Sequence, residues 1–180
     1  MRKRIRLIAI CLLLLIVTTA CSIGATPTSS VERLLAKYNN ADEDIIVELD
    51  DYDNSSNLTD EQNEKYNNIY LKQFRDMKNE IKEELVDGDN ATVTAQITVY
   101  DYYKAENDAN DYLINNNTEF MTDGEYDEGL FTDYKLKKLN DVTDTVDYTI
   151  DFTLVKVDND WVVNELTNEQ LEKIHGVYEY

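Results

Sequence analysis

Asp87-Gly88-Asp89-Asn90-Ala91-Thr92-Val93-Thr94-Ala95-Gln96-Ile97-Thr98-Val99-Tyr100 is the stretch on which the fold turns. Ala91, Val93, Ala95, Ile97 and Val99 fall on one side of an extended chain, and Thr92, Thr94, Gln96, Thr98 and Tyr100 on the other. That period of two marks a strand with one buried and one wet face. Upstream, Ile81, Glu83 and Leu85 alternate with Lys82, Glu84 and Val86, and the two runs meet at Asp87-Gly88. An Asp-Gly pair tolerates the positive φ of a tight turn, so an antiparallel hairpin is expected from residue 78 to residue 100.

A second hairpin of the same design follows later in the chain. Val146, Tyr148, Ile150, Phe152 and Leu154 line one face of a long strand, with Asp147, Thr149, Asp151 and Thr153 on the other. Asp158-Asn159-Asp160 then turns it into Trp161-Val162-Val163. Trp161, the single tryptophan, is expected to lie buried on the apolar face, closing the sheet against a helix over Thr59–Met77.

Helical spacing surrounds these strands. Ser30 is placed to cap a helix carrying Val31, Leu34, Leu35 and Tyr38, and a short helix over 42–49 would turn Ile45, Ile46 and Leu49 inward. Residues 50–57 read as a polar loop. Thr59-Asp60-Glu61-Gln62 is a capping box that opens a helix with Tyr66, Ile69, Tyr70, Phe74 and Met77 on one stripe. Between the hairpins, 101–113 and 130–139 have helical patterns separated by a loop over 118–129. A second capping box, Thr167-Asn168-Glu169-Gln170, starts a closing helix that Gly176 is placed to end. The expected class is α+β: N-terminal helices on a curved antiparallel sheet, with a helical insert between two hairpins and a short C-terminal helix.

The residues Asp87–Val93, Ile97–Tyr102, Tyr148–Leu154 through Trp161, and Leu171-Glu172-Lys173-Ile174-His175-Gly176 carry a resemblance. The pattern resembles the cystatin-like roll and, more narrowly, the nuclear transport factor two-like superfamily. It is similar to uncharacterised lipoproteins of low-GC Gram-positive bacteria that bear such a domain. The resemblance implies a helix-filled, cone-shaped sheet and no particular reaction.

The N-terminus addresses location. Arg2, Lys3, Arg4 and Arg6 precede an unbroken apolar run from Leu7 to Val17, followed by small residues up to Cys21. This is the order of a secretory signal, and the run is shorter than the roughly 17–25 residues that span a bilayer. Thr18-Thr19-Ala20-Cys21-Ser22 resembles the lipobox of bacterial lipoproteins, with Thr18 where an aliphatic residue is usual. The resemblance implies cleavage before Cys21 and lipidation of its thiol. The alternative is an uncleaved anchor stretching over the threonines to Ala25. The other cysteine, Cys11, lies within the apolar run, so the processed chain holds one sulfur nucleophile and no internal disulfide. The expected organisation is a signal peptide over 1–20, a tether over 21–30 containing the only proline, and one domain over 31–180.

Composition narrows the chemistry. Removing 1–20 takes four of the 17 basic residues and none of the 37 acidic ones, which moves the net charge from −20 to −24. Such a surface repels nucleic acid, and no nucleic-acid partner is expected. One histidine, His175, cannot assemble an ordinary zinc site or a hydrolase triad, and its place in a last helical turn suits an exposed imidazolium cap. Asp51-x-Asp53-x-Ser55-x-Asn57-x-Thr59 has calcium-loop spacing, but Ser56 and Gln62 stand where Gly and Glu belong. No catalytic constellation, metal or cofactor is expected. Among 13 tyrosines, Tyr100, Tyr102 and Tyr148 are candidates for a pocket that stacks a flat or sugar-like ligand, with core-rim packing as the alternative. The function expected is an extracytoplasmic, membrane-anchored module that binds a protein, peptide or small ligand. A small-molecule enzyme using a Tyr/Asp pocket in the same roll is the alternative.

Overall fold

The hairpin on which the reading turned forms as expected. β1 (Lys78–Asp87) pairs antiparallel with β2 (Asn90–Tyr100) through a two-residue turn in which Gly88 takes φ +61°. The computed structural model describes residues 25–53 and 58–180. The lipobox with Cys21, and the central residues of the calcium-like loop, lie outside them. The second hairpin comprises β5 (Thr145–Val157) and β6 (Asp160–Val163), joined through Asp158 and Asn159, both at positive φ. β2 pairs with β5, so the strands run in the order β1-β2-β5-β6 in one antiparallel sheet.

Among the described residues, six helices accompany the sheet. α1 (Pro27–Asn40), α2 (Glu43–Asp53) and α3 (Asp60–Asp76) precede it; α4 (Tyr102–Asn115) and α5 (Glu128–Asn140) form the insert between the hairpins; α6 (Asn168–His175) closes the chain. The inner sheet face, from Ala91 to Val99 on β2 and Tyr148 to Leu154 on β5, is buried against α1 and α3. Val31, Leu35 and Tyr38 come from α1, and Ile69, Phe74 and Met77 from α3 and its end. Both capping boxes form, and Gly176 ends α6 at φ +77°. The α+β class, the helical insert and the closing helix are as the sequence indicated.

Several boundaries differ for local reasons. α1 starts at Pro27, capped by Thr26, because proline suits the first helical turn. Residues 27–30 are therefore helix rather than tether. Ser30 is not a cap; it is buried and its hydroxyl donates to the Trp161 carbonyl at 2.7 Å. In α2, Ile45 and Leu49 are buried but Ile46 is exposed, and the helix continues to Asp53. The expected loop over 118–129 is a 3₁₀ turn (Asn117–Phe120) and a small hairpin, β3 (Met121–Thr122) with β4 (Glu125–Tyr126). Asp123 and Gly124 both take positive φ at its tip, the same turn chemistry that marks the first hairpin. Phe120 then packs edge-on against Tyr112, Phe131 and Tyr134, which ties the small hairpin to α4 and α5.

β1 departs most from simple alternation. Ile81 pairs with Ala95 and Glu83 with Thr94, leaving a bulge between them. A bulge resets which face each later residue takes. Ile81 and Val86 thus share the inner face, while Glu83, Leu85 and Asp87 lie on the outer one.

Trp161 lies on the expected face but is only partly buried. β6 is short and pairs Trp161 with Lys156 at the overhanging end of β5, beside the first turns of α1 rather than on α3. The Lys156 ammonium sits 5.8 Å from the indole centroid. Trp161→Ala is therefore expected to cost about 1–2 kcal/mol, and Phe152→Ala, at a fully buried site, about 3–5 kcal/mol. Urea unfolding of the two variants checks this order, and an equal loss would place the indole in the core after all.

Candidate functional site

The candidate site lies where β2 ends and is built by one amide. α3 presents Gln73 and Asp76 three residues apart, hence on neighbouring faces of its last turn. Gln73 is fully buried. Its Oε1 accepts the Tyr100 N–H at 2.8 Å, and its Nε2 donates to the Tyr100 carbonyl at 3.3 Å and the His175 carbonyl at 3.0 Å. A side chain added at Gly176 would run into the Tyr100 carbonyl and the Gln73 amide, so glycine is required there by space as well as by φ.

With its backbone fixed, Tyr100 points its hydroxyl at Asp76, donating to Oδ2 at 2.7 Å. The Lys72 ammonium lies 4.6 Å from the ring centroid, and Tyr102 stacks on it at 6.0 Å. The hydrogen bond to Asp76 and then partial burial push the phenol above its usual range. At neutral pH it is a hydrogen-bond donor, not a base. Tyr100, Asp76, Thr98, Thr145 and Lys78 line an open cleft of about 380 Å³.

Thr143 also lines a second cleft, of about 280 Å³, on the other side of the 141–145 segment. It is lined by the acidic residues Asp101, Asp108, Asp141 and Asp144 and by Lys104 and Lys138. Asp101 is buried and fully used: Oδ1 caps α4 at the Lys104 N–H, and Oδ2 accepts the Tyr180 hydroxyl at 2.7 Å. Lys104 pairs with Asp108 at 2.7 Å. Together the two clefts offer hydroxyls, carboxylates and ammonium groups to a polar ligand.

Neither family models, nor curated proteins, nor solved structures give a match to this chain. The site is therefore read from its own geometry.

The three tyrosines expected to share a pocket have separate fates. Tyr100 lines the first cleft. Tyr102 is core, its hydroxyl donating to the Ile69 carbonyl at 3.1 Å, and burial raises its phenol well above the ordinary value. Tyr148 is buried too, donating to the Tyr178 carbonyl at 2.9 Å in a group with Tyr178 and Tyr180 that seats the C-terminal tail. A strand's inner face and a helix's first turn bury a tyrosine ring whenever a carbonyl lies within reach of its hydroxyl. The residues that sequence reasoning passed over are Gln73, Asp76 and Asp101. Gln73 had a signal, as a polar amide inside the apolar stripe of α3.

His175 also differs from expectation. Its ring packs between Tyr70 (5.5 Å) and Phe74 (5.4 Å), and Nε2 is buried with no hydrogen-bond partner among the described residues. Burial pushes its pKa down to about 4, so the imidazole is neutral and does not serve as a charged cap. Below the unfolded value of about 6.5, the unfolded chain takes up a proton that the folded one refuses. Stability from this group is complete above that pH and falls by roughly 3 kcal/mol as pH drops to about 4. His175→Phe should lose correspondingly less stability between neutral pH and pH 4 in matched urea titrations. Parallel losses in the two proteins would show that the imidazole is solvated.

The Gln73 junction yields a second expectation. Gln73→Met keeps the volume but strands the Tyr100 N–H and C=O, each worth about 1–3 kcal/mol when buried unpaired. A loss of about 3 kcal/mol or more, read by thermal and urea unfolding, is expected; a loss below 1 kcal/mol would mean water replaces the amide.

Proposed function

We propose that this chain is an extracytoplasmic lipoprotein, held to the cell membrane through Cys21, whose domain acts as a non-enzymatic binding module for a protein, peptide or small ligand. The placement rests on the charge–apolar–small–Cys order of residues 2–21. The cystatin-like and nuclear transport factor two-like resemblance belongs to the same reading.

The observation that carries the binding role is the filling of the sheet's inner face by the protein's own side chains. Val93, Ala95, Ile97, Ile150, Phe152 and Leu154 are all buried beneath the helices. The two clefts near Tyr100 are open, and in them the Tyr100 hydroxyl is paired with Asp76 and Lys104 with Asp108. Tyr100 is held protonated by Asp76, an arrangement suited to recognising a ligand oxygen rather than to removing a proton.

The same pair supports a second reading, an enzyme in which Asp76 and Tyr100 act on a small substrate. The two differ in what Tyr100→Phe does. A binding module keeps partial affinity for its ligand through Lys78 and the threonines, whereas an enzyme loses turnover by about 100-fold or more.

Anchoring is tested directly. In the native membrane fraction, mass spectrometry is expected to find an N-terminal peptide beginning at Cys21 with added lipid mass. Cys21→Ala should leave an unprocessed precursor or release the domain. An unmodified N-terminus beyond Cys21 would remove the anchor from the proposal.

A further inference from the structure

Of the two edge strands, β6 spans four residues, whereas β1 spans ten. All of β1 but Ile81 is exposed. Among the described residues, its backbone groups have no backbone partners beyond the ladder to β2. Proteins usually blunt so long an edge, because a row of free N–H and C=O groups templates another strand. The bulge beside Lys82 does this for the first half. Beyond it the ladder runs unbroken from Glu83 to Asp87.

That second half carries a pattern. Its outer face reads acidic, apolar, acidic at Glu83, Leu85 and Asp87, and its inner face places Val86 after Glu84. Leu85 is 58% exposed and Val86 54% exposed. Thr28 N–H donates to Glu84 Oε2 at 2.9 Å, which commits that carboxylate to the start of α1. Among the described residues Glu83 and Asp87 show no such partner, and both are exposed.

From this edge we infer that residues 83–87 of β1 dock an extended, cationic segment of another polypeptide by strand addition. Backbone groups supply the ladder, Leu85 and Val86 touch apolar side chains on its two faces, and Glu83 and Asp87 meet lysines or arginines. The same charges exclude a second copy. Antiparallel self-pairing centred on Leu85 would set Glu83 of one chain opposite Asp87 of the other, between molecules that each carry a net charge of −20 before processing. The surface is separate from the clefts near Tyr100, and the inference stands whether or not Cys21 carries lipid.

The test uses the full-length protein in a nonionic detergent at about 0.15 M salt, where diffuse charge attraction is screened. The probe is a short fluorescent peptide built on the order Lys-Val-Val-Val-Lys, which sets two lysines flanking a valine on one face and valines on the other. Anisotropy should saturate, and hydrogen exchange of the β1 amides should slow on binding. Methylating alternate backbone nitrogens of the peptide should weaken it by about tenfold or more, since those amides form the ladder. Glu83→Lys and Asp87→Lys should weaken it similarly, while Asp158→Lys, at the other hairpin tip, should not. Equal binding of the methylated peptide, equal losses from Asp158→Lys, or no saturation would overturn the inference. A dimer with β1 amides protected in the absence of peptide would give the edge to a second copy instead. If a β1 variant fails to fold, the methylated peptide still decides the matter on the unaltered protein.

Discussion

A single carboxamide joins the three parts of this fold that share no secondary structure. Gln73, at the end of α3, binds both backbone groups of Tyr100 where β2 leaves the sheet and the last carbonyl of α6. A buried peptide group without a partner costs about 1–3 kcal/mol, so the strand can leave the sheet here only because an amide replaces the missing neighbour. The consequences spread outward. Gly176 has no room for a side chain, and its carbonyl accepts the Tyr103 N–H at 2.8 Å, which seats the start of α4. α6, held at its C-terminal end, lies along the half of β5 that β6 is too short to cover. There Gln170 Nε2 and Lys173 Nζ donate to the Asp151 and Thr149 carbonyls, replacing a strand with side chains.

The sheet has two unlike faces. Helices cover the inner one, while the outer one is a grid of hydroxyls and carboxylates. Thr98 and Gln96 donate to Asp147, and Thr94 donates to Asp151. These cross-strand bonds satisfy the acceptors of β5 from β2 and keep the face wet without apolar cover. The alternation of Thr and Asp in the sequence is thus the counterpart of the buried Val and Ile, and both sets fix one register.

That double pattern is why the sheet was legible in the sequence. A one-residue slip would expose Ile97 and Phe152 while burying Asp147 and Asp151, so periodicity alone indicated which face of β2 and of β5 is buried. The capped helices were legible because Thr59–Gln62 and Thr167–Gln170 each satisfy a specific pair of orphan N–H groups. The bulge in β1 was not, since Lys82 looks like any other polar residue of an exposed strand and the shift has no composition. Nor was the start of α1, where Ser30 offers a cap as Thr26 does, but Pro27 suits the first turn and the Ser30 hydroxyl goes to the Trp161 carbonyl instead. The candidate site was legible only in Tyr100. Its partner Asp76 is one carboxylate among many, and only the direction of the last turn of α3 singles it out. For Tyr102 and Tyr148 the sequence shows an aromatic ring but not whether a carbonyl waits for its hydroxyl, and that decides core against pocket.

The abundance of carboxylates has a structural side as well. Asp101 and Asp127 cap α4 and α5, Glu84 meets the start of α1, Asp76 takes the Tyr100 hydroxyl, and Asp147 and Asp151 serve the outer face. Each sits where donors converge, at helix starts or among hydroxyls, so the charge is stabilised by local geometry rather than by paired cations. The lysines serve in two other ways: Lys72 and Lys138 stand over tyrosine rings, while Lys65, Lys82, Lys104 and Lys173 pair with nearby exposed carboxylates. A protein built this way repels its own copies and other anionic surfaces at distances near the Debye length, about 8 Å at physiological salt. Within that range Glu83 and Asp87, on an open strand edge, have no internal donor among the described residues, and the cationic segment proposed for that edge would meet charge that the capping of helices and the wet sheet face leave over.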